Sequence, residues 1–185
     1  MMTLVFFLEE LSAKEMLNGI LPKILPDNMQ RRFVVFDGKQ DLEKQLVRRL
    51  KLWRIPNCHF FVLRDQDSGD CQLIKHNLLE KCNEANKPNT VVRVACHEME
   101  TFYLGDLRAV DKGLKLGSLS KLQNKRKYRE PDNLSNPAQE LIALTDNRYQ
   151  KVSGSRAISK YLNLDGNRSH SFTVLVKAII DVLDT

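Results

Sequence analysis

Short, continuous apolar runs alternate with stretches of helical periodicity through the first half of the chain. Leu4-Val5-Phe6-Phe7-Leu8 is apolar at every position, the mark of a strand covered on both faces. Ser12-Ala13-Lys14-Glu15 then has the form of a capping box. After it Met16, Leu17, Ile20, Leu21 and Ile24 recur at helical spacing, with Pro22 kinking and Pro26 ending that helix. Phe33-Val34-Val35-Phe36 reads as a second strand closed by an Asp37-Gly38 turn. Leu42, Leu46, Val47, Leu50 and Trp53 form the stripe of a second helix. His59 to Leu63 is a third strand running into Arg64-Asp65-Gln66-Asp67-Ser68-Gly69-Asp70. Leu73, Ile74, Leu78, Cys82 and Ala85 mark a third helix, and Thr90 to Cys96 a fourth strand. The alternation predicts an α/β fold, a mainly parallel four-stranded sheet with helices on both faces.

After about residue 97 the strand signal fades. Residues 117–136 are polar, basic and loop-like, and helical patterns return at 137–145, at 155–162 and in Phe172, Leu175, Val176, Ile179, Ile180 and Leu183. The pattern divides the chain into an α/β core over 1–110 and a basic helical extension over 111–185, packed on the core as one compact unit. Charge follows the same division. The net charge is +6, and residues 1–110 carry 16 basic and 15 acidic side chains, whereas residues 111–185 carry 13 and 8. An anionic partner is therefore attracted to the second part. Cys58, Cys71, Cys82 and Cys96 are far apart, without a C-x-x-C pair, which argues for free thiols over a zinc ribbon or a disulfide framework. The N-terminal apolar run lacks a basic start and a cleavage site, and no run has the length of a membrane span. The expected location is the cytoplasm, with no membrane partner.

Ligands of parallel α/β sheets gather at the carboxyl ends of the strands. Three predicted strands end there in acids: Glu9-Glu10, Asp65-x-Asp67 with Asp70 beyond, and Glu98-x-Glu100. In extended chain, residues two apart point to one side, so Asp65 and Asp67 would face one ion, as would Glu98 and Glu100. Clustered carboxylates repel and raise one another's pKa. A hard cation with all-oxygen preference, Mg²⁺ or Mn²⁺, relieves that conflict. Acids at strand–helix junctions also serve as N-caps, and Asp70 fits that role. His97 adjoins Glu98 and would sit behind a metal ligand, although a structural or surface histidine is the commoner case. The densest basic run, Lys121, Lys125, Arg126, Lys127 and Arg129, would neutralise phosphates, with Tyr128 available for stacking. A solvated loop is the commoner explanation for such a run. No phosphate loop, nucleophile elbow or dinucleotide fingerprint is present, which argues against ATP hydrolysis by this chain alone.

An apolar strand ending in Glu9, a later strand ending in Asp65-Gln66-Asp67, and the βαβ order between them resemble the Toprim fold of topoisomerases, primases and overcoming-lysogenization-defect (OLD) nucleases. Residues 4–15, 63–71 and 98–106, with Tyr149-Gln150-Lys151 and Arg168-Ser169-His170-Ser171-Phe172, resemble a bacterial Toprim-like family of unassigned function. Its members often stand beside an ATPase in mobile or defence-associated loci. The resemblance implies that Glu9, Asp65 and Asp67 form an acidic triad binding Mg²⁺ or Mn²⁺, with Glu9 also acting in general acid–base chemistry. It implies a second metal site at Glu98 or Glu100 and places Lys151 near the scissile phosphate, where a cation stabilises developing charge. Two positions depart from the pattern. Glu10 stands where Toprim motifs have glycine, and Ala13 where nuclease members carry a second acid.

The implied function is a Mg²⁺-dependent nucleic-acid phosphodiesterase subunit working with a partner ATPase, with DNA and RNA both open as substrate. Lys125, Arg126, Lys127 and Arg129 are the candidate contacts to nucleic acid. The alternative is a non-catalytic effector or regulatory subunit that keeps the scaffold, with Glu10 and Ala13 as signs of decay. A receiver-like phosphoacceptor also clusters acids around Mg²⁺, but the D-x-D pair fits it poorly and no lysine clearly follows a fifth strand.

Overall fold

The computed structural model describes residues 2–184. Four strands, β1 (Thr3–Leu8), β2 (Gln30–Val35), β3 (Cys58–Asp65) and β4 (Val91–Ala95), form one all-parallel sheet in the order β2-β1-β3-β4. The α/β class and parallel sheet predicted from the hydrophobic pattern are those observed, in a Rossmann-like arrangement. Strand β1 is buried along its whole length between β2 and β3, which its unbroken apolar sequence requires. Strand β2 departs from the expectation of buried strands. It is an edge strand whose Gln30, Arg31 and Arg32 are exposed, and the two arginines are charges of the kind that keep a free edge from pairing with another chain.

Successive residues of each strand point to opposite faces, and the core divides accordingly. Leu4, Phe6, Leu8, Phe61 and Leu63 face α1 (Leu11–Ile20) and most of the C-terminal part of the chain. Val5, Phe7, Phe60 and Val62 face α2 (Lys39–Lys51) and α3 (Cys71–Glu84). The C-terminal part begins with α4 (Glu100–Leu104) and α5 (Leu107–Leu114), helices where the sequence pattern gave no clear element. Residues 117–136 are not featureless: two 3₁₀ turns, Leu119–Leu122 and Pro131–Asn133, flank the single helical turn α6 (Arg126–Arg129). Helices α7 (Pro137–Leu144), α8 (Lys151–Ser159) and α9 (His170–Leu183) follow. Leu141, Tyr149, Ile158, Phe172, Leu175 and Ile179 share one core with Leu4, Phe6 and Leu8.

Helix α8 is seated by two close approaches. A Cβ on Gly113 of α5 would stand 2.7 Å from Ile158 Cα, and one on Gly19 of α1 would stand 2.7 Å from the backbone nitrogen of Lys160. These glycines let α1 and α5 touch α8 backbone to backbone, fixing where its first residue, Lys151, stands.

Two local expectations fail at α1. No capping box forms: Glu10 is the N-cap residue without a side-chain cap, Ser12 Oγ donates to Glu10, and Glu15 takes Arg156 at 2.7 Å. The helix ends at Ile20 and tightens into a 3₁₀ turn, Leu21–Lys23, around Pro22. Asp70, by contrast, caps α3 through Leu73 N at 2.9 Å. Leu73 itself is exposed rather than part of the apolar stripe. The four cysteines are free thiols. Among the described residues no helix is long and apolar enough to cross a membrane.

Candidate active site at the carboxyl ends of the strands

The chain leaves β1 toward β2 on one side and returns to β3 on the other, so the carboxyl ends of β1 and β3 flank the point where connections switch direction, a usual ligand position in such sheets. Glu9 follows β1 and Asp65 ends β3. The Asp65 N–H donates to Glu9 Oε2 at 3.1 Å, joining the two strand ends. Behind Glu9, the turn into α2 rests on Gly38, whose N–H donates to Glu9 O at 2.9 Å with φ at 88°, a left-handed conformation suited to glycine. Arg64, on the opposite face from Asp65, pairs with Glu43 of α2 and lies 3.9 Å from Glu9 Oε2.

Asp65 follows the register of Phe61 and Leu63 and lies on the α1/α8 face. Its Oδ1 accepts the Met99 N–H at 3.0 Å. Glu100, at the start of α4, is completely buried on this side; its Oε1 accepts the Tyr149 hydroxyl at 2.8 Å, and its Oε2 has no partner among the described residues. Tyr149 Oη lies 3.5 Å from Ser155 Oγ. Lys151 Nζ stands 2.7 Å from Glu10 Oε2.

Burial first, then the charges of Glu100, Glu9 and Glu10, push the Asp65 carboxyl well above the ordinary aspartate range, against a pull from Lys151. Burial also raises Glu100, opposed by Lys151 and the Tyr149 hydrogen bond. Glu9 is raised by burial and by Asp67, and lowered by the Asp65 N–H. Burial works to lower the Lys151 ammonium. The bond and charge of Glu10, with Glu100 and Asp65 beyond it, nevertheless hold it above the usual lysine value. Tyr103 and Tyr149 are both raised, chiefly by burial. An ammonium among several carboxylates, with an orphaned carboxylate oxygen beside them, is the electrostatic character of the site.

The Asp65-x-Asp67 segment does not continue extended. Strand β3 stops at Asp65, and Asp67 has φ 54° in a turn fixed by its N–H donating to His97 O at 2.7 Å. Its carboxylate turns to Lys39 of α2, 2.7 Å away, while its charge still acts on Glu9. Glu98-x-Glu100 is not extended either, since His97 has φ 55° and Glu100 already belongs to α4. Glu98 Oε2 accepts Ala138 N at 2.8 Å at the start of α7. The acids therefore form two groups. Lys151 reaches Glu10, Glu100 and Asp65, and Glu9 joins them through the Asp65 N–H, whereas Asp67 and Glu98 line an open cleft of about 450 Å³ with Ser68, His97, Ser135 and Asn136. Charge still crosses the division, Asp67 acting on Glu9 and Glu98 on Glu100.

This donor set suits a hard cation in kind, being all carboxylate oxygen. One oxygen each of Glu9, Asp65 and Glu100 is held by a protein hydrogen bond, and among the described residues the other takes none. In arrangement it is incomplete. Among the described residues no three His, Cys, Asp or Glu side chains form a group that could hold a metal ion. A shared ion requires these three carboxylates to turn toward one another.

The basic run is also redistributed. Tyr128 is buried, not available for stacking; its hydroxyl donates to Glu140 at 2.6 Å, and burial with that contact raises its pKa. Lys127 pairs with Glu140. Lys125, Arg126 and Arg129 are exposed, and Arg126 and Arg129 line a groove with Glu130 and Arg168. The pairing of Glu10 with Lys151 and the meeting of Arg168 with Arg126 and Arg129 carry no sequence signal, because these partners lie far apart along the chain.

No curated protein and no solved structure matches the chain. The family model described as a Domain of unknown function (DUF4276) matches residues 8–180, nearly the whole length, and so takes in the strand ends, Lys151 and Arg168 alike. The chain belongs to the DUF4276 family.

Proposed function

We propose that this chain is a Mg²⁺- or Mn²⁺-dependent nucleic-acid phosphodiesterase subunit of the cytoplasm, acting with a partner ATPase in a bacterial defence or mobile-element system. The observation that carries the reading is the contact between strand ends. Asp65 N–H to Glu9 Oε2 brings two acids of the Toprim-like pattern together at the switch point, with Glu100 and Lys151 beside them. Glu9, Asp65 and Glu100 are the residues that would hold the cation, each through its free oxygen. A bound divalent cation supplies Lewis-acid polarisation of a phosphoryl oxygen and a more acidic water. Lys151 offers a positive charge to a phosphate once Glu10 releases it. The ATPase partner rests on the resemblance alone.

The test is cleavage of labelled DNA and RNA by purified protein in Mg²⁺ or Mn²⁺, alone and with the ATPase from the same locus, alongside Glu9→Gln and Asp65→Asn. Cutting that depends on the cation and is lost in both variants supports the reading. Cutting that persists in both sinks it.

One observation favours a second reading, the non-catalytic subunit. Lys151, bound to Glu10, already places a positive charge where a cation would otherwise be needed, and no three acids converge. A stable complex with the ATPase, no cleavage, and no Mn²⁺ binding by titration calorimetry are its expected results.

A further inference from the structure

We infer that Arg126, Arg129 and Arg168 form a built groove for the phosphates of a nucleic-acid strand, separate from the acidic centre. The inference rests on the reading of the chain as one that acts on nucleic acid, and it adds a binding element, Arg168, that the basic run does not contain.

The three arginines line one open cavity of about 470 Å³ with Glu130. Among the described residues none of the three has an acidic side chain within ion-pair distance, although nine such pairs form elsewhere. The one acid in the groove, Glu130, takes Asn133 Nδ2 at 2.8 Å. Three guanidiniums around one cavity repel unless an anion lies among them. Their planar forks match phosphate oxygens two at a time.

The backbone beneath them is fixed from both sides. Gln123 Nε2 donates to Leu104 O and Tyr128 O, at 3.1 and 2.8 Å, while buried Tyr128 anchors α6 between Arg126 and Arg129. Across the groove, Arg168 N donates to Gly105 O at 2.9 Å. A Cβ at Gly105 would stand 2.7 Å from Ser169 N, so this loop sits directly against the end of α4. Both walls thus hang on consecutive residues, Leu104 and Gly105. Arg168 Nη2 also donates to Asn124 Oδ1 at 3.3 Å, bridging the walls. Such anchoring orders the cationic groups before a ligand arrives and reduces the entropy lost on binding.

A nucleic-acid strand is the ligand favoured because the arginine groove opens, through an adjoining cavity, toward the strand ends. Arg126 and Lys127 also line an adjoining cavity with Asn133 and Leu134, and the next two residues, Ser135 and Asn136, line the cleft of Asp67 and Glu98. Segment 126–136 thereby leads from the arginines to the strand ends.

The test is fluorescence anisotropy with labelled single-stranded DNA and RNA oligonucleotides in EDTA, so that no cleavage or metal enters the reading. A triple variant, Arg126, Arg129 and Arg168 each →Gln, is compared with a charge-matched control, Lys44, Arg48 and Arg54 each →Gln, on exposed positions of α2 and beyond. The triple variant should weaken binding about tenfold or more and flatten the salt dependence by about 2 in log–log slope, at about 0.7 per lost phosphate contact, with the control close to wild type. Arg168→Lys should fall between wild type and Arg168→Gln, because charge is kept and the fork is lost. Oligonucleotides with and without a 5′-phosphate separate a terminal from an internal phosphate as the bound group. Equal losses in triple variant and control, binding of polyglutamate as tight as that of the oligonucleotides, or no binding by the wild type each overturn the inference. Absence of nuclease activity with this binding intact overturns only the proposed function.

Discussion

Lys151 Nζ lies 2.7 Å from Glu10 Oε2 and brings positive charge to the carboxylates of Asp65 and Glu100. The lysine stays protonated across neutral pH, so its effect varies with pH through the acids. Lys151→Met should lower the melting temperature more at about pH 8 than at about pH 5, because the carboxyl groups carry more charge as pH rises. Lys151→Arg should recover part of the loss. Thermal melts across pH check this, and an equal loss at both pH values contradicts the assignment.

Asp65 gives the opposite sign. Its folded pKa is raised above the unfolded value, so its contribution to stability is greatest below the unfolded pKa and is lost as pH rises through the folded one. Asp65→Asn keeps an acceptor for Met99 N and removes the charge. The variant should melt higher than wild type at about pH 8, with the gain shrinking to nothing toward about pH 4. A variant less stable than wild type at every pH refutes this account.

Among the described residues Tyr149 alone donates a side-chain hydrogen bond to buried Glu100, so Tyr149→Phe leaves both carboxylate oxygens without such a partner. The expected loss is about 1–3 kcal/mol in urea denaturation at neutral pH. It should diminish in acid, where a protonated Glu100 is cheaper to bury.

Gly113→Ala and Gly19→Ala push α5 and α1 away from α8, because the added Cβ meets backbone that a rotamer change does not clear. Each should cost about 1–3 kcal/mol by chemical denaturation. Each should also reduce any activity that depends on Lys151, without touching a site residue.

Asp67 divides the two ways of counting acids. It pairs with Lys39 and has φ 54°, a conformation that asparagine tolerates. If the inner acids do the chemistry, Asp67→Asn should retain cleavage within about threefold of wild type. Asp65→Asn and Glu9→Gln should lose about a hundredfold or more. Equal losses at all three positions would falsify the division into two groups.

Much of the fold was legible because strand burial writes itself into composition: residues 4–8 carry no polar position, and β1 is central. The same rule failed at β2, where edge exposure allows Arg31 and Arg32 in a strand whose apolar half, Phe33 to Val35, resembles a buried one. Local spacing identified Asp70 as a cap, since that bond closes within three residues. It misjudged Asp67 and Glu98 because two-residue periodicity holds only while the chain stays extended, and positive φ at Asp67 and His97 breaks it. Glu10 was visible as an acid at a strand end and as a departure from a motif, not as the partner of a lysine. Its partner lies 141 residues further along, beyond the reach of any local pattern.

The seating of α8 has a consequence for synthesis. Glu9 and Asp65 leave the ribosome long before Tyr149 and Lys151, and Gly113 and Ile158, which set the helix in place, are themselves 45 residues apart. Until the last third of the chain is translated, the acids at the strand ends lack both their hydroxyl donor and their counter-charge and remain hydrated. The site is therefore assembled late, and a ribosome stalled between residues 110 and 150 holds a sheet whose chemistry has not yet been installed.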